Sequence, residues 1–201
     1  MILPSSAAGA VTQEVGYIHA AAETVAPWLA DGMSGWRVRP VQWRSLADAA
    51  AVVGPSPDMT RNAVVPVDGW SLLFRNGPGG NDVGVIPSLA ARQLGCRALR
   101  AVCVRDDEDE YPARILEVFG PDGEPPLLAR RSIVAANDGG KWVFETSGEP
   151  FEFEDLERYK RRRKSERFPP ELLYEYLREL GVPFDVEPDW PQTLLLERGS
   201  R

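Results

Sequence analysis

An α+β protein is the fold class that the sequence predicts, with a mixed, largely antiparallel sheet of about six to eight strands. The 201 residues, 43% of them hydrophobic, suffice for one sizeable core. From residue 62 onward, short apolar runs are separated by Asp-Gly and Asn-Asp-Gly-Gly turns, as in an antiparallel meander. Helical periodicity is strongest near the two ends of the chain, which predicts N-terminal helices and a C-terminal helix pair.

The N-terminal quarter is predicted to contain two strands and two helices. The strands are expected at residues 14–19 and 36–43, and the first helix at residues 21–29. Pro27 lies inside that helical pattern, so this helix either begins late or is kinked. The second helix follows Ser45, because Asp48 completes an S-x-x-D capping box and apolar residues then recur at helical spacing up to Val53.

The middle of the chain is predicted to be mostly strands. Their expected positions are residues 62–67, 70–75, 96–105, 111–119, 127–136 and 141–146, with a helix at 88–94 and a further short strand at 151–153. Asp68-Gly69 is a strong signal for a two-residue hairpin between the first two strands. Further turns are expected at Asp122-Gly123 and at residues 137–140.

The C-terminal part is predicted to be helical and then extended. Residues 155–167 are expected to form a charged helix with few apolar residues, and Pro169-Pro170-Glu171 is expected to begin a second helix. That helix carries an apolar stripe of Leu172, Leu173, Tyr176, Leu177 and Leu180. Residues 193–197 are predicted as an edge strand. We therefore predict a sheet domain at residues 1–153 and a helical appendage with an extended tail at residues 154–201, both on one core.

Charge and composition narrow the function classes. The net charge of -7 argues against general affinity for nucleic acid or for anionic membranes. No run of about 18 apolar residues is present, and residues 1–16 lack the features of a secretory signal. The two cysteines, Cys96 and Cys103, would face opposite sides of a strand and are not expected to form a disulfide. A cytoplasmic location is the simplest expectation.

A glycine-rich loop at residues 76–84 is the first candidate site. If it binds a ligand, the polar contacts would come from Arg75, Asn76, Asn81 and Asp82. The spacing matches neither a P-loop, which needs Lys-Ser or Lys-Thr after the last glycine, nor the dinucleotide pattern G-x-G-x-x-G. The loop is therefore either a structural turn or a ligand site of another kind.

Signals for catalysis or metal binding are weak. The sequence contains a single histidine, His19, and no G-x-S-x-G motif, paired histidines or C-x-x-C motif. No catalytic residue, metal ligand or cofactor is assigned, and the sequence favours a protein that is not an enzyme. An acidic run suits a solvated loop or a contact with a basic protein; it comprises Asp106, Asp107, Glu108, Asp109 and Glu110.

The most unusual stretch by composition is the basic segment at residues 158–167. It places seven Lys and Arg residues in ten positions of an acidic protein. Three interpretations remain open: it lies against the acidic surface of the chain itself, it is solvated, or it binds an anionic partner through residues such as Arg161 and Arg162.

Three stretches carry a family resemblance: GWSLLFRNGPGGNDVGVIPS, ANDGGKWVFETSGEPFEFED and YKRRRKSERFPPELLYEYL. With them the chain resembles small, acidic, uncharacterised actinobacterial proteins of the type that confers immunity to polymorphic toxins. The resemblance implies a cytoplasmic protein that binds another protein, with a toxin domain as the candidate partner. The alternative is a small-ligand-binding or nucleotide-binding protein, or an enzyme, that uses residues 76–84. A third possibility is nucleic-acid binding through residues 158–167. The sequence does not indicate an oligomeric state.

Overall fold

One open antiparallel sheet organises the chain. The computed structural model describes residues 13–32, 35–54, 56, 58–77, 80–81, 83–105, 111–137 and 139–199. Its strands are β1 Glu14–Ile18, β2 Arg37–Pro40, β3 Met59–Val67, β4 Trp70–Gly77, β5 Gly80–Asn81, β6 Ala98–Val104, β7 Ala113–Glu124, β8 Ala129–Asn137, β9 Trp142–Ser147 and β10 Leu194–Gly199. Nine of them follow the order β2-β10-β3-β4-β1-β6-β7-β8-β9, and β5 pairs with β4 outside this path.

The α+β class is confirmed, and the strand number is close to the predicted one. Among the described residues the sheet path has nine strands rather than six to eight, and every pairing is antiparallel rather than mixed. The described residues also contain four α-helices: α1 Ala22–Asp31, α2 Leu46–Val53, α3 Ile86–Leu94 and α4 Pro170–Glu179. No helix in this part of the chain is long and apolar enough to cross a membrane.

Local signals set several element boundaries as predicted. The Ser45 hydroxyl accepts a hydrogen bond from the Asp48 N–H and so caps α2. Asp68 and Gly69 both have positive φ, 41° and 78°, and they join β3 to β4 directly. These left-handed conformations let a two-residue turn follow the twist of the flanking strands. In α1, the exposed Pro27 lies within a helix that already begins at Ala22, so the late start is ruled out.

Each face of the sheet carries its own hydrophobic core. Neighbouring residues of a strand point to opposite faces, so Leu72 belongs to one core and Leu73 to the other. Helices α1 and α3 cover the Leu73 face, whereas α2 and α4 cover the Leu72 face. The predicted apolar stripe of α4 is buried against the sheet, and its members are Leu172, Leu173, Tyr176, Leu177 and Leu180. Of the two free cysteines, Cys103 lies in the core of the Leu72 face, whereas half-buried Cys96 packs against the core of the Leu73 face.

The C-terminal third departs most from the sequence prediction. Residues 155–167 are not an α-helix: they contain only two short 3-10 turns, Arg158–Lys160 and Lys164–Glu166. Neighbouring positive charges and the small number of apolar residues remove the support that a helix of this length needs. The predicted C-terminal helix pair is therefore a single helix, α4. Residues 151–153 likewise form a turn rather than a strand.

The last strand also lies in an unexpected place. Strand β10 pairs with β2 on one side and with β3 on the other, so the prediction of an edge strand was wrong. Leu195 and Leu196 are both fully buried, one in each core, as an internal strand requires. The outer strands of the path are β2 and β9. The turn expected at Asp122-Gly123 falls later, at residues 125–128, because β7 continues to Glu124.

Candidate functional site

The last part of the glycine-rich loop, at Val83 and Gly84, binds a carboxylate from the chain itself. The Glu14 carboxylate accepts the N–H of Val83 at 2.8 Å and of Gly84 at 3.3 Å, just before α3 begins. Arg100 holds the same carboxylate through two hydrogen bonds of 2.9 and 3.0 Å, and it also contacts Glu117. These backbone N–H groups are the ones that would otherwise attract a ligand anion. Because they donate to Glu14, these N–H groups stabilise the fold instead.

The polar residues predicted around this loop have different surroundings. Asn76 is buried, its side-chain oxygen accepts the Arg61 N–H, and its amide donates to the Met59 carbonyl at 2.7 Å. Both ends of the Asn76 side chain therefore tie β4 to β3. Arg75 is half-buried in β4, opposite Asn62. The side chain of Asn81 and all of Asp82 lie outside the described residues.

The acidic run cannot be placed in the fold. Asp106, Asp107, Glu108, Asp109 and Glu110 all lie outside the described residues. Their role as a partner-binding loop stays a prediction.

The basic segment lies on the surface and contains two 3-10 turns but no α-helix. We call residues 155–168 the cationic arm. Two of its arginines hydrogen-bond to its own backbone: Arg158 donates to the Glu166 carbonyl at 3.1 Å, and Arg167 donates to the Arg161 carbonyl at 2.8 Å. Because these bonds span eight and six residues, they fold the arm back on itself. The exposed cations of the arm are Lys160, Arg161, Arg162, Arg163 and Lys164.

A buried ion pair anchors the start of the arm. The Glu154 carboxylate receives two hydrogen bonds from the Arg131 guanidinium, at 2.6 and 2.8 Å, and both side chains are almost completely buried. Glu154 also accepts the Phe151 N–H at 2.9 Å, while Arg131 donates to the carbonyls of Ser147 and Gly148. Bidentate geometry with further hydrogen bonds to both partners is the arrangement in which a buried pair is well held.

Aromatic side chains extend this anchor into the core. The Tyr159 hydroxyl donates to Glu154 at 3.0 Å and lies 3.2 Å from the Tyr176 hydroxyl of α4. The ring of Tyr159 packs against Phe144 of β9, and Phe168 at the end of the arm is fully buried. Burial raises the pKa of the Tyr159 phenol, and its hydrogen-bonding partners raise it further. The arm is thus fixed at both ends.

Sequence reasoning identified the exposed cations but missed the anchor. One usable signal was present: in the predicted strand at residues 127–136, Arg131 falls on the same face as the apolar Ile133 and Ala135. An arginine at such a position needs a buried anion as partner. Nothing in the local sequence points to Glu154 as that partner, because Glu145, Glu149 and Glu152 all lie nearer to Arg131 along the chain.

The described residues contain little that supports nucleophilic or metal chemistry. They hold no group of three or more His, Cys, Asp or Glu side chains placed to bind a metal ion. Burial raises the pKa of the Cys96 thiol, which disfavours the reactive thiolate. Cys103 is buried, with its sulfur 3.4 Å from the Tyr174 hydroxyl.

Comparison with protein-family models, with curated proteins and with solved structures gives no match to this chain. The cationic arm and its anchor are therefore the features on which a functional proposal rests.

Proposed function

We propose that this protein is non-enzymatic and acts by binding another protein, with the cationic arm as its docking element. The observation that carries the proposal is a run of five consecutive exposed cations, Lys160 to Lys164, on an arm that is anchored at both ends. A binding element that is already ordered loses less conformational entropy on association. The partner surface that suits it is acidic.

Two arginine hydrogen bonds within the arm favour this interpretation over that of a simply solvated loop. A solvated basic loop needs no internal hydrogen bonds, yet Arg158 and Arg167 are used to hold carbonyl groups of the arm itself. Two other cations pair within the arm, Lys160 with Glu157 and Arg163 with Glu166. Arg161 and Arg162 are the two exposed arginines left to meet a partner.

A protein partner fits the arm better than a nucleic acid does. Binding of single strands combines positive charge with exposed aromatic rings on which bases stack. In residues 158–168, all of which the structure describes, the aromatic residues are Tyr159 and Phe168, and both pack inward. The net charge of -7 also repels nucleic acid from the rest of the surface.

The resemblance to immunity proteins makes a toxin domain with an acidic contact surface the first partner to test. A cytoplasmic protein of this kind would keep its cysteines reduced, and Cys96 and Cys103 are both free. Ligand binding at residues 76–84 has less support, since Glu14 already occupies the amides of Val83 and Gly84.

The test is capture of a partner from a nuclease-treated lysate of the native organism, followed by measurement of its affinity. The variant Arg161→Glu/Arg162→Glu should weaken binding at least tenfold, because it reverses the charge of the two exposed arginines that have no ion pair within the arm. The matched control is Arg37→Glu/Arg92→Glu, which reverses two exposed arginines on β2 and α3 and should bind like the native protein. Equal binding by the two variants, capture of the partner only from lysate without nuclease treatment, or recovery of no stoichiometric protein would each contradict the proposal.

A further inference from the structure

A second surface feature is a cavity of about 430 Å³ where β1, β6 and β7 reach one end of the sheet. We call it the His19 cavity. Its polar and aromatic lining includes His19, Cys96, Arg97, Asp122, Arg130 and Phe151. This volume lies in the range of pockets that hold small organic ligands.

The basic side chains of the cavity are each held in position by a neighbour. The His19 ring stacks on Trp70 with 4.5 Å between ring centroids. Arg97 donates to the Leu180 carbonyl at 3.2 Å, which leaves donors of its guanidinium for another partner. Arg130 lies over the Phe151 ring, 5.4 Å from the centroid.

The cavity is lined by more positive than negative side chains, whereas the protein as a whole is negatively charged. Arg97 and Arg130 both line it, whereas its one lining carboxylate is Asp122, which is 3.2 Å from Arg130 and 74% exposed. An exposed ion pair of this kind is weak and exchanges readily for another anion. Cys96 does not add a competing negative charge, since burial favours its neutral thiol.

From this arrangement we propose that the His19 cavity binds a small organic phosphate ester. Its phosphate oxygens contact Arg97 and Arg130, and its planar organic group packs beside Phe151 and Phe119. Arginine presents a fork of N–H donors that matches phosphate oxygens, and a hydrogen bond between charged groups is stronger than a neutral one. Half-buried Phe151 and the largely buried Phe119 supply the apolar wall. This site is independent of the proposed protein-binding function.

The test is titration of the full chain with phenyl phosphate by calorimetry and by NMR, with inorganic phosphate and phenol as partial probes. We expect saturable binding of phenyl phosphate that is tighter than that of either partial probe and that weakens with salt. Arg130→Gln and Arg97→Gln should each weaken it roughly tenfold or more, as expected for loss of a charge-assisted hydrogen bond. The matched control Arg92→Gln, an exposed arginine of α3 outside the cavity, should bind like the native protein.

A variant that should tighten binding distinguishes a site in the cavity from general attraction of anions to the protein. Asp122→Asn removes the competing carboxylate, so it should tighten the binding of phenyl phosphate while the fold is retained. No saturable binding of phenyl phosphate, an equal loss in Arg92→Gln and Arg130→Gln, or weaker binding by Asp122→Asn would overturn the proposal.

Discussion

Substitution of Glu154 by glutamine tests the anchor of the cationic arm most sharply. The glutamine side chain has nearly the same shape, but it removes the charge that Arg131 faces at 2.6 and 2.8 Å. Arg131 has only 3% of its side chain exposed, so its guanidinium would remain buried without a counter-ion. Breaking a buried pair in this way costs about 3–5 kcal/mol. We expect the free energy of unfolding to fall by about 3 kcal/mol, because glutamine keeps one acceptor oxygen.

The measurement is urea unfolding at neutral pH, followed by tryptophan fluorescence and circular dichroism. Glu152→Gln is the matched control, since Glu152 is exposed and only two residues away, and its effect should stay within about 0.5 kcal/mol. In the double variant Arg131→Met/Glu154→Gln, the cost should be at least about 2 kcal/mol smaller than the sum of the two single costs, because the unpaired charge is gone. A Glu154→Gln effect below about 1 kcal/mol would refute the reasoning.

Three further predictions concern stability. Burial opposes ionisation of the Glu197 carboxyl, but hydrogen bonds from two arginines outweigh it and lower the pKa. This stabilisation is complete above the ordinary glutamate pKa of about 4.3 and is lost as the pH falls through the lowered value. The urea midpoint of Glu197→Gln should therefore fall less steeply with decreasing pH than that of the native protein. An equal fall in the two proteins would contradict this prediction. Burial raises the pKa of Tyr159, so above a pH of about 10 this tyrosine ionises in the unfolded chain before it does in the folded protein. The free energy of unfolding should therefore decline as the pH rises above about 10, and Tyr159→Phe should reduce that decline. Tyrosinate absorbance that appears well before unfolding would contradict this prediction. Gly148→Ala should destabilise the protein by about 2–4 kcal/mol, since φ is +77° and the added Cβ would lie 2.3 Å from the Arg130 carbonyl oxygen. Gly181 has a similar φ of +71° but no atom within 4 Å of the added Cβ, so Gly181→Ala should cost only the backbone strain of about 1 kcal/mol. Equal losses in these two glycine variants would show that the close approach does not matter.

The elements that sequence predicts well are those whose signals are local. The Ser45 cap, the Asp68-Gly69 hairpin and the Pro170 start of α4 each depend on residues a few positions apart. Residues 155–167 contain few such signals. Their conformation depends on carbonyl groups and a core that only tertiary folding supplies, so local pattern gave the wrong element.

The two candidate sites differ in how far the sequence alone can predict them. The exposed arginines of the arm stand out by composition alone, while the partners that position the arm come from β8 and α4. The His19 cavity has no sequence signal, because Arg97 and Arg130 are separated by more than thirty residues and line one cavity only because β6 and β8 both begin at that end of the sheet. Long-range convergence of this kind is invisible without the fold.

The most direct test of the docking role is the association rate of the captured partner with the native protein and with Arg161→Glu/Arg162→Glu, measured across a range of salt concentrations. Charge steering by the arm predicts a fast rate at low salt that falls steeply as salt screens the arm, and a slow, nearly salt-independent rate for the variant. Equal rates and equal salt dependence for the two proteins would contradict the account.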